Sequence, residues 1–316
     1  MLPDADDLPE ILLDLAVPHE DINELVALHR LLTRDFGAMR LLEECVEGLV
    51  RDMGEIGGAT PWPAERIAEL FTGQAEGRAD QEPGALGRYF AVYVFVAALP
   101  YVRAHHHALG IPPEVSRRTL ADLGRNMALH RRRHGRGGVE TMWWLALHFH
   151  GELFQLGRLQ FQRARVGQRA AELLAATGPA PDADAMCLSL HIPDFHGPLS
   201  PAACDRSLAL ALDFFARHFP AERYTAGVCH SWLLDTQLKR YLEADSHIVR
   251  FQERFRIAVD EVESADSQPV RFVFGNPDLP VAGLPRRTTV ERAVGDHLRA
   301  GGHWYIGHGW FPLTTV

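Results

Sequence analysis

The sequence predicts an α/β (α+β) protein in which an N-terminal helical domain precedes a mixed sheet with flanking helices. Apolar residues recur at helical spacing through roughly the first 135 residues. Beyond about residue 157, alternating stretches typical of strands exchange with further helical stretches. The 316 residues are 47% hydrophobic and 23% charged, which is enough apolar material for one large or two ordinary cores. We therefore predict a helical domain over 1–136 and a sheet-containing domain over 137–316.

The helical domain is divided by proline- and glycine-containing stretches. After Pro18, HEDINELVALHRLL places Ile22, Leu25, Val26 and Leu32 on one stripe. The segment QAEGRADQEPG has the composition of an exposed loop. Further helices are predicted for TPWPAERIAELF, GRYFAVYVFVAALPYVRAHHHALG, PPEVSRRTLADLGRNMALHRRRHG and, beyond the boundary, VETMWWLALHFHGELFQLG.

Strands and helices alternate in the second domain. In SPAACDRSLALALDFFARHF, Ser200 is the predicted N-cap and Pro201 the first helical residue. TTVERAVGDHLRAGG begins with a Thr288/Glu291 capping box, and Asp235 is expected to cap a short helix. Strands are predicted for RLQFQRARV, AMCLSLHIP, YTAGVCHSWLL, SHIVRFQERFRIAVDEV, QPVRFVFG and HWYIGHGWF, with GPAPDADA as a turn.

Charge and cysteine usage exclude several function classes. The formal net charge is −9, which argues against broad binding to nucleic acid or to an anionic membrane. The acidic start MLPDADDLPEILLDL is not expected to be a secretory signal, and no stretch is expected to reach the roughly 20 apolar residues of a membrane helix. The four cysteines form no CxxC motif, so we expect a cytoplasmic protein with reduced thiols: Cys45, Cys187, Cys204 and Cys229.

Five segments in this order resemble a known family: LGRLQF, LHIPDFHGPLSPAAC, VCHSWLLD, SHIVRFQERF and GGHWYIGHGWF. They are similar to the bacterial acyltransferases with an N-terminal helical N-acyltransferase domain and a GNAT-like C-terminal domain, most strongly from about Leu156 to Phe311. The resemblance implies acyl transfer from acyl-CoA, as co-substrate and without a metal, to a small-molecule amine. An acyl carrier protein is a second candidate partner. The strict GNAT pyrophosphate motif, Q/R-x-x-G-x-G/A, is absent, and HGPLS occupies its place.

The stretch LSLHIPDFHGPLSPAAC allows two interpretations. His191, Asp194 and His196 could ligate a metal, but their own stretch contains no HxxH or HExxH motif and no histidine pair at helical spacing that would support them. Alternatively, a strand ends at Pro193, a glycine-containing loop follows, and the free amides of the helix that starts at Ser200 bind an anion.

The family resemblance assigns roles along the second interpretation. The strand edge from Leu190 to Ile192 would hold the pantetheine arm of CoA, and Gly197, Leu199 and Ser200 would face its phosphates. The alternative is an ordinary capped helix after a strand, without a ligand.

Acyl transfer needs a base that accepts the proton of the attacking amine. His191, at the end of the strand that would carry the thioester, is the first candidate, and its alternative role is to order the turn by a hydrogen bond. His230 is the second candidate. On a strand it faces away from Cys229 and Ser231, so a cysteine–histidine dyad is disfavoured and Cys229 is predicted to pack in the core.

Polar residues that alternate along strands can line a substrate cleft. Arg158 and Gln160 are predicted to share one strand face, as are Arg250 and Gln252 on another, although a solvated face or internal salt bridges would give the same pattern. The last strand carries three rings that could shape an acceptor pocket or pack in the core: Trp304, His308 and Trp310.

Two other functions remain as alternatives. The altered phosphate loop would fit a non-catalytic protein that binds acyl-CoA or an acyl carrier protein. The 17 histidines would fit a metal-dependent hydrolase, which is the less favoured reading.

Overall fold

A computed structural model describes residues 2–58, 61–72, 84–194 and 196–313, and most of the predicted loop QAEGRADQEPG lies outside them. The chain forms two compact units, Met1–Phe154 and Gln155–Val316. The sequence-based boundary at residue 136 lies earlier, because the helix Met142–Phe149 packs on helices of the first unit.

The first unit is helical and is built around one long apolar helix. Its helices are α1 (Leu8–Asp14), α2 (His19–Arg34), α3 (Phe36–Val50), α4 (Ala64–Thr72), α5 (Ala85–Ala108), α6 (Pro113–Leu120), α7 (Asp122–His134) and α8 (Met142–Phe149). By length and composition α5 could cross a membrane, so the expectation of no such stretch is corrected. Its most apolar window is 67% buried, and its side chains form much of the unit's core.

Two helix boundaries of this unit differ from the sequence prediction. The segment predicted as one helix from Pro112 to Gly135 breaks at Ala121 into α6 and α7, and ends as predicted at Gly135, whose φ is +67°. The helix predicted to continue to Gly157 stops at Phe149, because Gly151 adopts φ +79° and the chain then enters a strand.

The second unit contains a six-stranded mixed sheet. Its strands are β1 (Leu153–Leu156), β2 (Leu159–Arg165), β3 (Met186–His191), β4 (Ala226–Ser231), β5 (Arg256–Asp260) and β6 (Ile306–Pro312), in the order β1-β2-β3-β4-β6-β5. The β3–β4 pair is parallel, and β2–β3, β4–β6 and β5–β6 are antiparallel. Its helices are α9 (Gln168–Ala175), α10 (Pro201–His218), α11 (His247–Gln252), α12 (Ser267–Phe274) and α13 (Thr289–Arg299). The predicted mixed sheet with flanking helices is confirmed.

Three elements of this unit were predicted wrongly or missed. The long strand SHIVRFQERFRIAVDEV begins instead as α11, because Ser246 accepts a bond from the amide of Val249, and only its second half is β5. QPVRFVFG forms α12, which Gly275 ends with φ +83°. Helix α9 was not anticipated. Short apolar segments do not separate helix from strand by spacing alone.

Helices α9 and α10 lie on opposite faces of the sheet. Leu174 of α9 joins a buried cluster with Cys187, Val228 and Trp310, which defines the face that α9 covers. On β2, Arg163 lies opposite Leu188 in the register, so its side chain points to the other face of the sheet. There its guanidinium lies over the ring of Phe219, just after α10. Within each strand, residues separated by two positions from Cys187, Val228 or Trp310 therefore lie on the α9 face.

Candidate active site

The sheet opens between its two parallel central strands. Through the described residues of β3 and β4, the register starts at Cys187–Ala226 and stops at Ser189–Val228. The outer edges of both strands stay paired beyond that point, β3 with β2 to His191 and β4 with β6 to Ser231. Both strands thus run on beyond the end of their shared register, and an extended ligand between their inner edges could bond backbone groups as a strand would.

The two predicted catalytic histidines lie on either side of this opening. His191 lies four residues after Cys187 on β3, and His230 lies two residues after Val228 on β4. Both side chains therefore project from the α9 face. His191 is hydrogen-bonded to Gln162 of β2: Nε2 of His191 lies 3.0 Å from Oε1 of Gln162. A side-chain amide oxygen only accepts, so Nε2 of His191 carries the hydrogen.

His230 forms a pair with His308, which lies directly opposite on β6. Their Nδ1 atoms are 2.7 Å apart, so one ring donates and the other accepts. His230 is exposed as a residue. Desolvation by the surrounding protein first, and repulsion from His308 second, nevertheless lower its pKa. Burial also lowers the pKa of His308, against the attraction of Asp260 and with the repulsion of Arg169. The pair is therefore neutral at neutral pH and can take up a proton.

A loop and a helix start follow β3, as the anion-site interpretation predicted. Ser200 caps α10 by accepting a bond from the amide of Ala203 at 3.4 Å, and Pro201 is the first helical residue. Gly197 is exposed with φ +74°, and Leu199 is buried. The first-turn amides and the helix dipole make this end of α10 attractive to an anion.

Two arginines stand beside this loop and helix start. Arg158 donates from Nε to the carbonyl of Gly197 at 2.9 Å and from an Nη to that of Pro193 at 3.0 Å, which fixes the loop. Arg254 donates to the carbonyl of Pro201 at 3.1 Å and pairs with Asp205. Both guanidinium groups place positive charge near the first turn of α10.

Several predicted site residues lie elsewhere than expected. Arg158 precedes β2 in a tight turn and shares no strand face with Gln160, which is 1% exposed. Gln252 lies on α11, where it donates to the carbonyls of Leu233 and Asp235, so the predicted strand face with Arg250 is wrong.

Trp304 is a core residue. Its side chain is fully buried, its indole N–H donates to the carbonyl of Val294 at 3.3 Å, and it packs on the ring of His297. It offers no surface to a substrate, so its assignment to an acceptor pocket is corrected. The alternative that it packs in the core is confirmed.

The metal and thiolate interpretations fit this site poorly. Over the part of the chain that the structure describes, His191, Asp194 and His196 do not bring their ligand atoms together. Cys229 is 1% exposed, and burial raises the pKa of its thiol to about 12, so it is a core residue rather than a nucleophile.

Sequence reasoning did not assign the partner role of His308 or that of Arg254. The sequence showed that His308 and Trp310 share one face of the last strand. That His308 lies opposite His230 depends on the β4–β6 register. Arg254 was hidden because α11 had been predicted as a strand.

The glycines around His308 fix its strand against a neighbouring segment. A Cβ on Gly307 would lie 2.4 Å from the carbonyl oxygen of Leu234. We expect Gly307→Ala to destabilise the protein by about 1–3 kcal/mol through overpacking. Because β6 must shift, we also expect kcat to fall as His308 moves from His230. Urea unfolding and initial rates measure both effects.

Gly167→Ala is the matched control, because Gly167 has φ −68° and a Cβ there meets nothing within 4 Å. Equal stability and rate in the two variants would contradict the packing argument.

Comparison with known proteins places both halves of the chain. Residues 6–151 match the family model of the N-acyltransferase N-terminal domain, and residues 153–311 match that of the GNAT-like C-terminal domain. Comparison with curated protein sequences gives no significant match.

Solved structures similar to the chain are acyltransferase complexes. One is an acyltransferase with decanoyl-CoA (37% identity, TM-score 0.83), and another is an acyltransferase with decanoyl-CoA and teicoplanin (36%, 0.82). A third is a mutant acyltransferase with octanoyl-CoA (36%, 0.83). Each similarity covers 99% of this chain and 90% of the other.

Proposed function

Because the chain belongs to the acyl-CoA-dependent N-acyltransferases that join an N-acyltransferase N-terminal domain to a GNAT-like domain, we propose that it acylates an amino group of a glycopeptide-type small molecule. The opening between β3 and β4, with a histidine on each side, is the observation that carries the proposal. Family membership favours turnover over the non-catalytic and hydrolase alternatives.

The donor would enter the opening in the sheet. The inner edge of β3, from Leu190 to Ile192, would bond the pantetheine arm through its backbone, since the side chain of Leu190 is buried. Gly197, Leu199 and Ser200 would face the pyrophosphate at the start of α10. The bound octanoyl and decanoyl groups of the similar acyltransferases favour a medium-length acyl chain.

The acceptor is inferred from the teicoplanin bound by similar enzymes. A glycopeptide with a free amino group is therefore the first acceptor to test. An acyl carrier protein as donor, a cytoplasmic location and the absence of nucleic-acid and membrane partners stay predictions. Transfer of the same acyl group from carrier protein and from CoA, measured side by side, tests the first of these.

The reaction is a direct displacement at the thioester. The amine nitrogen attacks the carbonyl carbon, its proton passes to an imidazole, the C–S bond breaks, and the CoA thiolate leaves and takes up a proton. His230 suits the base, because its partner His308 fixes one ring nitrogen while the residue remains solvent-exposed. His191, bonded to Gln162 across the opening, is the second candidate.

A single substitution tests the donor site without removing a cap. In Ser200→Asp the new carboxylate still caps α10, but its charge opposes the CoA phosphates. We expect octanoyl- or decanoyl-CoA at 100 times its Kd to stabilise the wild-type protein by about 2.7 kcal/mol. The variant should bind the same ligand at least tenfold more weakly.

Ser246→Asp makes the identical change at the N-cap of α11 and should respond to acyl-CoA as the wild type does. If acyl-CoA raises the melting temperature of Ser200→Asp as much as that of the wild type, the CoA phosphates do not bind at the start of α10. Turnover is tested separately by incubating the enzyme with acyl-CoA and a deacylated glycopeptide. Thiol release together with a product heavier by one acyl group supports the proposed acceptor, and thiol release without that product contradicts it.

A further inference from the structure

A histidine and carboxylate cluster lies in the helical unit. His130 and His134 are four residues apart on α7, so both imidazoles project from one side of the helix, with ring centroids 4.6 Å apart. Glu140 follows the turn GRGGV, and its Oε1 contacts Nε2 of His134. One ligand atom from each of the three side chains lies within 4.8 Å of the other two.

We propose that His130, His134 and Glu140 bind one divalent transition-metal ion of the Zn²⁺ type. Two imidazole nitrogens and one carboxylate oxygen form a known three-residue zinc ligand set, with water in the fourth position. Ligand bonds of about 2.0–2.2 Å around a tetrahedral ion need ligand atoms about 3.3–3.6 Å apart. The three ligand atoms lie within 4.8 Å of one another, so small side-chain movements would bring them to the distances that a bound ion needs.

The surroundings orient two of the three ligands. Nδ1 of His130 lies 3.1 Å from the carbonyl oxygen of Arg136, which only accepts, so Nδ1 carries the hydrogen and Nε2 keeps its lone pair. A metal-ligating histidine usually has such a bond at its other nitrogen. Oε2 of Glu140 accepts from Arg133 at 2.5 Å, which directs Oε1 toward His134.

Exposure and charge leave the cluster accessible. His130 is 8% exposed, whereas the side chains of His134 and Glu140 each expose 34%, so an ion can enter from solvent. The local run of arginines opposes a cation, but Arg131 is paired with the buried Asp21 at 2.6 Å. Arg133 is likewise paired with Glu140. The competitors for Glu140 are its ion pairs with His134 and with Arg133.

A metal at this position would join the end of α7 to the segment that leads into α8. The ligands close the turn between His134 and Glu140, so binding should stabilise the helical unit. The inference is independent of the proposed acceptor and of the acyl-transfer residues, which belong to the other unit.

Metal titration of the untagged full-length chain tests the proposal. After chelator treatment and dialysis, Co²⁺ is added at pH 7.5 while its visible d–d absorption is recorded, and Zn²⁺ is then added as a competitor. We expect one equivalent of Co²⁺ to bind with a tetrahedral spectrum and Zn²⁺ to displace it. His134→Ala and Glu140→Gln, at partly exposed positions that should not disturb folding, should each weaken binding at least tenfold.

His107→Ala is the control, because it removes another exposed histidine of the same unit, at the end of α5. It should bind Co²⁺ as the wild type does. If the wild type binds no stoichiometric Co²⁺, or if His134→Ala and Glu140→Gln bind it equally well, the cluster is only an ion pair and the proposal fails. Melting curves without metal confirm that each variant is folded.

Discussion

His230→Ala is expected to lower kcat by about 10²–10⁴-fold, the usual effect of losing a general base, with a much smaller change in the KM for acyl-CoA. The expectation follows from the geometry of the pair. Nδ1 of His230 is held 2.7 Å from Nδ1 of His308, and the ring projects beside the opening between β3 and β4. The substitution removes the proton acceptor but leaves the backbone edges that would bind the donor.

The pH profile gives a second readout of the same pair. Burial lowers the pKa of both histidines, and repulsion lowers it further, from His308 at His230 and from Arg169 at His308, so the neutral, base-competent state extends to lower pH than a free imidazole allows. We expect kcat/KM to fall as pH decreases, with an apparent pKa of the pair below 6.5. His308→Gln removes the repulsion and should move that pKa upward.

His247→Ala, which removes an exposed histidine of the same unit, is the control and should leave kcat unchanged. His191→Ala distinguishes the two candidate bases. If His191→Ala lowers kcat by a hundredfold or more while His230→Ala costs less than tenfold, His191 is the base and the assignment of His230 is wrong.

Much of the fold was predicted from signals between residues close in sequence. The Thr288/Glu291 capping box, the Ser200 cap with Pro201, and the alternation of AMCLSLHIP each predicted elements that the structure contains. These signals depend on residues close in sequence, whose hydrogen bonds and side-chain directions follow from backbone geometry.

The errors have a common physical origin in tertiary context. Ser246 caps a helix in a segment whose Ile248 and Arg250 alternate as a strand would, so a local cap outweighed a period of two. The site was affected in the same way. His230 was found from its own strand, but its pairing with His308 needs a register between strands some 78 residues apart in sequence.

The loop between β3 and α10 shows where local and long-range information combine. Its sequence suggested an anion site, but nothing local indicated that Arg158 would hold it from the β1–β2 turn. The guanidinium bonds to the carbonyls of Pro193 and Gly197 tie two points of the loop to that turn. The amides that would meet the phosphates are therefore held in place before the ligand arrives.

Arg158→Ala is accordingly expected to raise the Kd for acyl-CoA by about 10–100-fold. The change removes two charge-assisted hydrogen bonds, each worth about 1.5–3 kcal/mol, together with a positive charge beside the phosphates. Isothermal titration with decanoyl-CoA measures Kd directly. Since the base is untouched, kcat at saturating donor should change by less than tenfold.

Two further variants separate charge from positioning. Arg158→Lys keeps the charge but lacks the planar fork that reaches both Pro193 and Gly197, so it should recover only part of the affinity. Arg165→Ala is the control, because Arg165 likewise donates to a loop carbonyl, that of Asp184 at 3.0 Å, and is exposed at the opposite end of β2. Full recovery in Arg158→Lys would show that charge alone matters. Wild-type affinity in Arg158→Ala would mean that CoA does not use this loop, because no phosphate contact there can survive the loss of both the anchor and the charge.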